Sequence, residues 1–264
     1  MRLELRACIR KDILEYFRTA KWLIFAGTLV ALSGMVLFTT MFIPIAAKLM
    51  PYMSAVMATL VEYMFDILRE LVPGNVRDNM GFWAADVGLF YTLVVAIVCS
   101  GLIPNEIRKG CRIVPSNCGY HKSTFVLSKC IVYGIGVTVT LVLVENLYYV
   151  VANLMLSRDY AWFDCLWSSL IYGMTLGLIT ACAIILSDIA KNSIVSCATL
   201  LAVVIILPDL LSLFNGFEFL PTYLMEFAYC AETDYSKAII PMCLLVAVTA
   251  ILFGISVIKN RNRK

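Results

Sequence analysis

The sequence has little charge and almost no histidine. Charged residues make up 15% of its 264 positions, and His121 is the single histidine. Soluble domains carry about a quarter charged residues, so this composition excludes an ordinary soluble domain. Without a Ser/His/Asp, His-rich or paired-carboxylate constellation, the chain is not expected to be an enzyme. The sequence also lacks both G-x-x-x-x-G-K-[ST] and G-x-G-x-x-G, and therefore a P-loop of its own for ATP.

The ten cysteines form neither a disulfide framework nor a metal-binding pattern. Most lie in apolar runs or beside basic residues, where cysteine serves as a small apolar residue. Cys165 and Cys230 are the two near the predicted outer face, so the sequence allows one disulfide, between these two residues. Cys111, Cys118 and His121 lack a fourth ligand at zinc spacing, so we predict no metal site.

Apolar residues are abundant instead: they make up 61% of the chain, and the mean hydropathy is +0.88. Runs of about 20 apolar residues are long enough to cross a membrane as helices, and no alternating strand pattern indicates a barrel. We predict an all-α integral membrane protein with one transmembrane domain over 1–264. It comprises an interfacial helix at 1–21, a six-span bundle at 22–258 and a basic tail at 259–264. The predicted spans are 22–46, 83–104, 125–152, 165–187, 193–213 and 238–258.

The distribution of basic residues predicts the orientation. Lys and Arg beside a span stay in the cytoplasm, and this rule puts all but five of the 21 Lys and Arg residues on one side. The five on the outside are Lys48, Arg69, Arg77, Arg158 and Lys237. Both termini are therefore expected to be cytoplasmic, and the asymmetry indicates membrane topology, not nucleic-acid binding.

Two further segments are predicted to be amphipathic helices. The N-terminal segment has an apolar face formed by Leu5, Ile9, Ile13, Tyr16, Phe17 and Ala20. Its basic content favours the anionic inner leaflet, and packing on another subunit is the alternative. The outer segment 50–72 has a Met-rich apolar stripe. Its role is either that of a lid or that of a structural cover, and the sequence does not decide between them.

Acidic residues inside the spans are candidate functional groups, because an ionised acid is costly in hydrocarbon. Asp86 lies about one turn inside the second span and Glu145 is embedded in the third. Glu145 is either a transport group or a buried carboxyl hydrogen-bonded to a neighbouring helix. Asp188 and Asp209 are placed at span ends, where headgroup water removes most of the cost.

Small residues recur every four positions in the fourth span, at Gly173, Gly177 and Ala181. Such a stripe lets two helix backbones approach closely. Dimerisation of two subunits and packing within one subunit explain it equally well.

The loop between the second and third spans, "NEIRKGCRIVPSNCGYHKSTFVLSK" at 105–129, carries the most specific pattern. Glu106 is followed by Gly110 after four residues, and Lys122 and Lys129 follow at a spacing of seven. With the six spans and the entry helix, this pattern resembles the ABC-2 type permeases, in which a proline usually precedes the first lysine by three residues. Gly119 stands at that position, and Cys111 replaces the usual Ser or Thr.

The resemblance implies a permease subunit of an exporter in a bacterial cell membrane, working as two copies. A separate ATP-binding subunit, which holds ATP and Mg, would dock on the cytoplasmic loop 105–124. The residues assigned to that loop and its stems are Glu106, Arg108, Lys109, Gly110, Arg112, Gly119, Lys122 and Lys129. Glu106 would pair with cytoplasmic Arg or Lys, and Lys122 and Lys129 would anchor the loop at headgroups or on the ATPase. Simple snorkelling of these charges at the interface is the alternative.

Two other classes of function remain open from the sequence alone. An ion-coupled secondary transporter would use Asp86 and Glu145 as ion sites, although no internal repeat supports it. A membrane-embedded enzyme is less favoured, because no catalytic constellation occurs at a common depth.

Overall fold

A computed structural model describes residues 2–49, 75–111, 121–206, 223–229 and 234–261. Within these ranges the protein is helical, and one isolated bridge joins Asn75 to Ser157. The helices are α1 (Arg2–Arg18), α2 (Lys21–Leu49), α3 (Val76–Ser100), α4 (Leu102–Arg108), α5 (Lys122–Met155), α6 (Trp162–Ala190), α7 (Ser193–Leu201), α8 (Tyr223–Tyr229) and α9 (Ser236–Arg261). A π-helical turn, Ala202–Ile206, extends α7. The predicted all-α class is confirmed.

Five helical segments in the described residues are long and apolar enough to span a membrane: Lys21–Met41, Val76–Arg108, Lys122–Met155, Trp162–Ala190 and Ser236–Asn260. The predicted fifth span, 193–213, corresponds to the shorter apolar helix Ser193–Ile205. Its remaining residues 207–213 lie outside the described residues, as do the outer segment 50–72, Arg112, Cys118, Gly119, Asp209 and Cys230.

The outward surface of the long helices is apolar, which fits a lipid environment. On α5, Ile135, Val139, Leu143 and Leu147 follow one another at intervals of four residues, and all are exposed. Residues at this spacing share one face of a helix. A soluble protein of this size would not leave so continuous an apolar face in water.

Asparagine side chains begin two of the helices. The side chain of Asn75 accepts a hydrogen bond from the backbone N–H of Asp78 at 2.8 Å, and Asn192 accepts one from Ile194 at 2.9 Å. These bonds satisfy N–H groups that have no partner inside the helix. The cap at Asn75 extends α3 seven residues before the predicted span 83–104.

Helices α5 and α6 pack closely against each other, and small residues form their contact. A Cβ added to Gly177 would lie 2.4 Å from Oγ1 of Thr138, and one added to Gly134 would lie 3.1 Å from the Gly177 carbonyl oxygen. Thr138 also donates a hydrogen bond to the carbonyl of Gly173 at 2.8 Å. The stripe Gly173, Gly177 and Ala181 is therefore used for packing within one subunit, against α5, and all three residues are buried.

Polar side chains join α2, α3 and α5 in the interior. Trp83 donates to Oγ of Ser33 at 2.8 Å. Asn79 accepts from the hydroxyl of Tyr148 at 2.7 Å and donates to Thr40 at 3.3 Å. Hydrogen bonds of this kind between membrane helices stabilise their contact by about 0.6 kcal/mol on average.

Polar contacts also define the two ends of the bundle. At one end, Asn75 lies beside Ser157, and the hydroxyl of Tyr235 donates to Asp164 at 2.9 Å. At the other end, α1 contacts the end of α4 and the start of α5, and the end of α6 contacts the end of α9. We call this second end the basic end, because α1, the start of α2, residues 108–111 and 121–129, and the end of α9 together carry most of the basic side chains.

Candidate functional site

A glycine ends α4 at the basic end and turns the chain into the loop. The backbone N–H of Cys111 donates to the carbonyl of Glu106, and the N–H of Gly110 donates to the carbonyl of Ile107, both at 3.1 Å. These two bonds form a Schellman motif, which requires a left-handed residue after the helix. Gly110 has φ 68° and fills that position. The spacing between Glu106 and Gly110 thus has a structural reason: it ends the helix one turn after the acid.

Lys129 forms the centre of a buried group of charges at this end. Its Nζ lies 3.1 Å from Oδ1 of Asp12 on α1 and 3.0 Å from Oε1 of Glu106 on α4. Oε2 of Glu15 is 3.7 Å away. The side chains of Lys129 and Asp12 are only 1% and 2% exposed. Ser128 also donates a short hydrogen bond to Oδ2 of Asp12.

Two more lysines surround this centre. Nζ of Lys11 lies 2.9 Å from Oε1 of Glu106, and Nζ of Lys21 lies 2.6 Å from Oε1 of Glu15. Lys21 also donates to the hydroxyl of Tyr133 at 2.9 Å. We call the whole set the charge cluster; it consists of Lys11, Asp12, Glu15, Lys21, Glu106 and Lys129. Three acids face three lysines, so the formal charges balance.

Electrostatic attraction keeps Glu15 and Lys11 of the charge cluster ionised. Burial alone would raise the pKa of Glu15, but attraction by Lys129 and the hydrogen bond from Lys21 outweigh it, and the pKa lies below its usual value. Burial would lower the pKa of Lys11, but its bond with Glu106 raises it above the usual value. Both groups therefore remain charged at neutral pH.

The three acids are also close enough together to hold a metal ion by geometry. Carboxylate oxygens of Asp12, Glu15 and Glu106 all lie within 4.8 Å of one another. The ammonium group of Lys129 lies within 3.1 Å of two of these acids and 3.7 Å of the third. Lys129 is thus the cation that this acidic group binds, and the arrangement is an ion-pair network, not a metal site.

The structure corrects the expected role of Lys129. The sequence places it at the headgroups or on an ATPase, but a side chain that is 1% exposed inside the protein contacts neither. Arg108, Lys109 and Lys122, by contrast, are exposed and can contact a partner. Glu106 pairs with Lys11 and Lys129, two lysines from different helices.

Asp12 is not among the functional residues predicted from the sequence, because α1 was expected to present an apolar face to the lipid. The buried face of α1 instead consists of Cys8, Asp12 and Tyr16, which pack toward α5. Ile13 and Phe17 are 42% and 60% exposed. The available signal was the spacing of Asp12, four residues from both Cys8 and Tyr16 on a basic helix.

The two intramembrane acids have different environments. Asp86 is exposed on the surface of α3, whereas Glu145 is 3% exposed and its Oε2 has no hydrogen-bond partner among the described residues. Leaving an acid ionised at the centre of a membrane costs about 3 kcal/mol on insertion scales. Neither carboxyl belongs to the charge cluster.

Asp188, at the end of α6, does not lie in headgroup water as the sequence suggested. It is 3% exposed, and it accepts hydrogen bonds of 2.7 Å from both Ser256 and Asn260 on α9. Lys259 donates to the carbonyl of Ile189 at 2.6 Å. These bonds attach the end of α9 to α6. Near the opposite end, Cys165 is a buried free thiol.

Comparison with family models, with curated proteins and with solved structures finds no match to this chain. Its function is therefore argued from the pattern in the sequence and from the geometry of the described residues.

Proposed function

We propose that this chain is the membrane subunit of an ATP-driven exporter of the ABC-2 type. The observation that supports it best is the pairing of Glu106 with Lys129 at 3.0 Å. These two residues lie at the two stems of the loop 105–124, on which a separate ATP-binding subunit would dock. Their bond joins the two stems at the base of the loop.

The charge cluster gives such a loop a mechanical connection to the membrane helices. Asp12 attaches α1 to the same lysine that holds Glu106. α1 leads directly into α2, α4 follows α3, and Lys129 is part of α5. A force on the loop would therefore reach the first three long membrane helices together, which is what an ATP-driven change of access requires.

The strength of the charge cluster suits this role. Removing one partner from a buried ion pair typically costs about 3–5 kcal/mol, because the other charge remains buried and unpaired. Pulling the paired groups apart within the protein would leave both charges buried and unpaired, so the pair resists separation during a movement of the loop. Exposed pairs, worth about 0–1 kcal/mol, would not.

The proposed orientation has both termini and the loop in the cytoplasm, with six spans. The arrangement of the basic end supports it, because α1, the loop and the end of α9 occur together there, and they carry most of the Lys and Arg residues. In this orientation the exposed Arg108, Lys109 and Lys122 face the side on which ATP is available. A second copy of the chain would complete the pathway in a cell membrane.

Reversal of charge on the loop tests the proposed docking site. Changing Arg108, Lys109 and Arg112 to Glu should reduce co-purification of an ATP-binding chain about tenfold or more, because several charges change at one small contact. Membrane insertion should persist, since the N-terminal basic residues still hold their end inside. The measurement is a pull-down from native membranes, with ATP hydrolysis of the recovered complex as the second readout.

The matched control changes Arg261, Arg263 and Lys264 to Glu, which alters the same number of charges on the same side. This control should retain the ATP-binding chain. Equal loss in both variants would indicate a general effect of membrane electrostatics. Full retention in the loop variant, or no ATP-binding chain with the unmodified protein, would contradict the proposed function.

The environment of Glu145 supports a second candidate function, that of an ion-coupled secondary transporter. Its buried carboxyl has an oxygen without a hydrogen-bond partner among the described residues. A group of this kind can bind and release a proton or another cation as the helices move. Transport would then depend on the carboxyl group and an ion gradient, and it would need no ATP-binding partner.

A further inference from the structure

Glu145 lies in the outer half of the membrane and faces the interior of the protein. It follows Lys129 of the charge cluster by 16 residues and precedes Met155, the last residue of α5, by ten. With a rise of about 1.5 Å per residue, its backbone is about 24 Å from Lys129 along the helix and about 15 Å from the outer end. Its side chain is 3% exposed. The carboxyl group is thus buried, remote from the charge cluster and closer to the outer end of the bundle.

Glu145 is a buried acid without a partner. The acids of the charge cluster pair with lysines, and Asp188, which is equally buried, accepts hydrogen bonds of 2.7 Å from Ser256 and Asn260. Glu145 makes no hydrogen bond or ion pair with any described residue. An ionised carboxylate in hydrocarbon is costly unless an opposite charge or hydrogen-bond donors compensate for the lost water. The neutral acid avoids most of this cost, because it carries no net charge.

The groups whose charges interact with Glu145 are themselves neutral at neutral pH. They are Cys165 on α6 and Tyr160 in the connection between α5 and α6. An ordinary thiol and an ordinary phenol lose their protons only well above neutral pH. Asp86, the acid inside α3, is exposed on the surface of that helix. Among the described residues, no cation therefore holds Glu145 in its ionised form.

The basic residues of the outer end do not match the depth or the burial of Glu145. Asn79 joins Thr40 on α2 to Tyr148 on α5 in one layer. Lys48 lies eight residues beyond Thr40 on α2, about 12 Å further outward, whereas Glu145 lies three residues inward of Tyr148, about 5 Å in the other direction. The two positions differ in depth by more than a lysine side chain spans. The remaining outer basic residues are the exposed Arg77, Arg158 and Lys237 and, outside the described residues, Arg69.

The neighbours of Glu145 along α5 indicate from which side a proton reaches it. Residues four apart are neighbours on a helix surface. Toward the basic end, this row continues with Leu141 and Val137, which are apolar and fully buried. Toward the outer end, it continues with Tyr149 and the half-buried Asn153, whose amide donates to the Tyr149 hydroxyl at 3.4 Å. The polar side of the row is therefore the outer side.

A proton fits this site better than a metal ion does. Ca²⁺ and Mg²⁺ take six or more oxygen ligands. Among the described residues, the one group of acids close enough together to hold a metal ion is Asp12, Glu15 and Glu106, at the basic end. Glu145 offers a single carboxyl group, which is sufficient for a proton.

We propose that Glu145 is a proton-binding site, which holds a proton inside the membrane at neutral pH and exchanges it with the outer solution past Tyr149 and Asn153. The proton resides on the carboxyl group and passes to water at the outer end of α5. This inference goes beyond the export function, and it narrows the ion of the second candidate function to the proton. The site needs no ATP-binding subunit.

Infrared spectroscopy of the full-length protein at neutral pH tests the protonation of Glu145. The protein is measured in dodecyl maltoside, a detergent without carbonyl groups, because the carbonyl band of a protonated carboxyl lies apart from the bands of carboxylates and amides. We expect Glu145→Gln to lack one protonated-carboxyl band that the unmodified protein has. Glu145→Asp covers the case in which Glu145→Gln does not fold, and it should shift this band. An unchanged protonated-carboxyl region in both variants would mean that Glu145 is ionised, as pairing with Arg69 would make it, and would overturn the proposal.

The control is Asp188→Asn, which removes an acid that is also 3% exposed but accepts two hydrogen bonds. This variant should lose a carboxylate band and keep the protonated-carboxyl band, since hydrogen-bond donors stabilise the ionised form. Loss of the same protonated-carboxyl band in Asp188→Asn as in Glu145→Gln would overturn the assignment of the proton to Glu145.

Transfer of the protein into D₂O tests the outer route, because the Glu145 band shifts as deuterium replaces the proton. Tyr149→Phe removes one hydroxyl on the outer side of Glu145. Thr175→Val is the matched control: it removes one buried hydroxyl of α6 on the side toward the basic end, where it bonds within its own helix. We expect exchange to be several-fold slower in Tyr149→Phe and unchanged in Thr175→Val. Equal exchange rates in the two variants would overturn the outer route.

These measurements separate the proton site from the export function. No ATP-binding chain takes part in them, so an ionised Glu145 would leave the export function standing. Absence of an ATP-binding chain from the pull-down would refute the export function and leave the proton site standing.

Discussion

Replacing Lys129 with methionine removes the central cation of the charge cluster while keeping most of the side-chain volume. Asp12 and Glu106 would each lose a partner that now lies 3.1 Å and 3.0 Å away. Breaking a buried pair in this way costs about 3–5 kcal/mol. Lys11 remains 2.9 Å from Glu106 and 3.7 Å from Asp12, so part of the loss is offset. We therefore expect the lower limit, about 3 kcal/mol, as the loss in α1 docking.

Cys8 provides the assay for this loss. Its side chain is 4% exposed, and it lies one turn before Asp12 on the buried face of α1. In a protein whose other cysteines are replaced, maleimide labels Cys8 when α1 leaves α5. A loss of about 3 kcal/mol should raise the labelling rate about a hundredfold, if the detached state is rare and reached reversibly.

The control for this experiment is Lys122→Met on the same helix. Lys122 is exposed, and such substitutions usually change stability by less than about 0.5 kcal/mol. The double variant Asp12→Asn with Lys129→Met should recover part of the loss, because one unpaired acid is neutralised. The same labelling rate in Lys129→Met and Lys122→Met would refute the reasoning that the charge cluster holds α1.

Two further substitutions address the membrane helices. Gly177→Ala should lower stability by about 1–3 kcal/mol, since its Cβ would lie 2.4 Å from Thr138; thermal unfolding measures the loss. Gly34→Ala is the control, because nothing lies within 4 Å of its added Cβ, and an equal loss there would contradict the packing argument. Glu145→Gln should retain most ATP-dependent export if the residue is structural, because glutamine keeps the shape of the side chain and can still form hydrogen bonds within the membrane. Complete loss of export by a normally assembled Glu145→Gln protein would favour the ion-coupled candidate.

Sequence reasoning found the long helices because their signal is local. A long run of apolar residues predicts a membrane span wherever it occurs in the sequence, and the structure has helices at all five fully described runs. The residues at which these helices begin and end depend instead on single side chains. Asn75 starts α3 among polar residues, and Gly110 ends the turn after α4. Glycine and asparagine at such positions are recognisable in a sequence once the helix is known.

The contacts of α1 were beyond sequence reasoning, because they join distant parts of the chain. Lys129 bonds to Asp12 from 117 positions away, and Lys11 bonds to Glu106 from 95 positions away. Periodicity identified α1 as amphipathic, but it could not tell which face meets the protein. The small-residue stripe had the same limit. Gly173 and Gly177 indicate close packing, and only the position of α5 shows that it occurs within one subunit.

The position of the apolar side chains on α1 explains why charges attach this helix to the bundle. Ile13, Leu14 and Phe17 are exposed, so they are available to the lipid surface. A short amphipathic helix has one apolar face, and if lipid takes it, the opposite face must contact the protein. On α1 that opposite face carries Asp12 with Glu15 beside it, and lysines from α2 and α5 are its partners. A buried ion pair is seldom more stable than apolar packing, but it requires one specific partner for each charge. Specific pairing fixes the position of α1 along α5, which a link between the loop and the membrane helices requires.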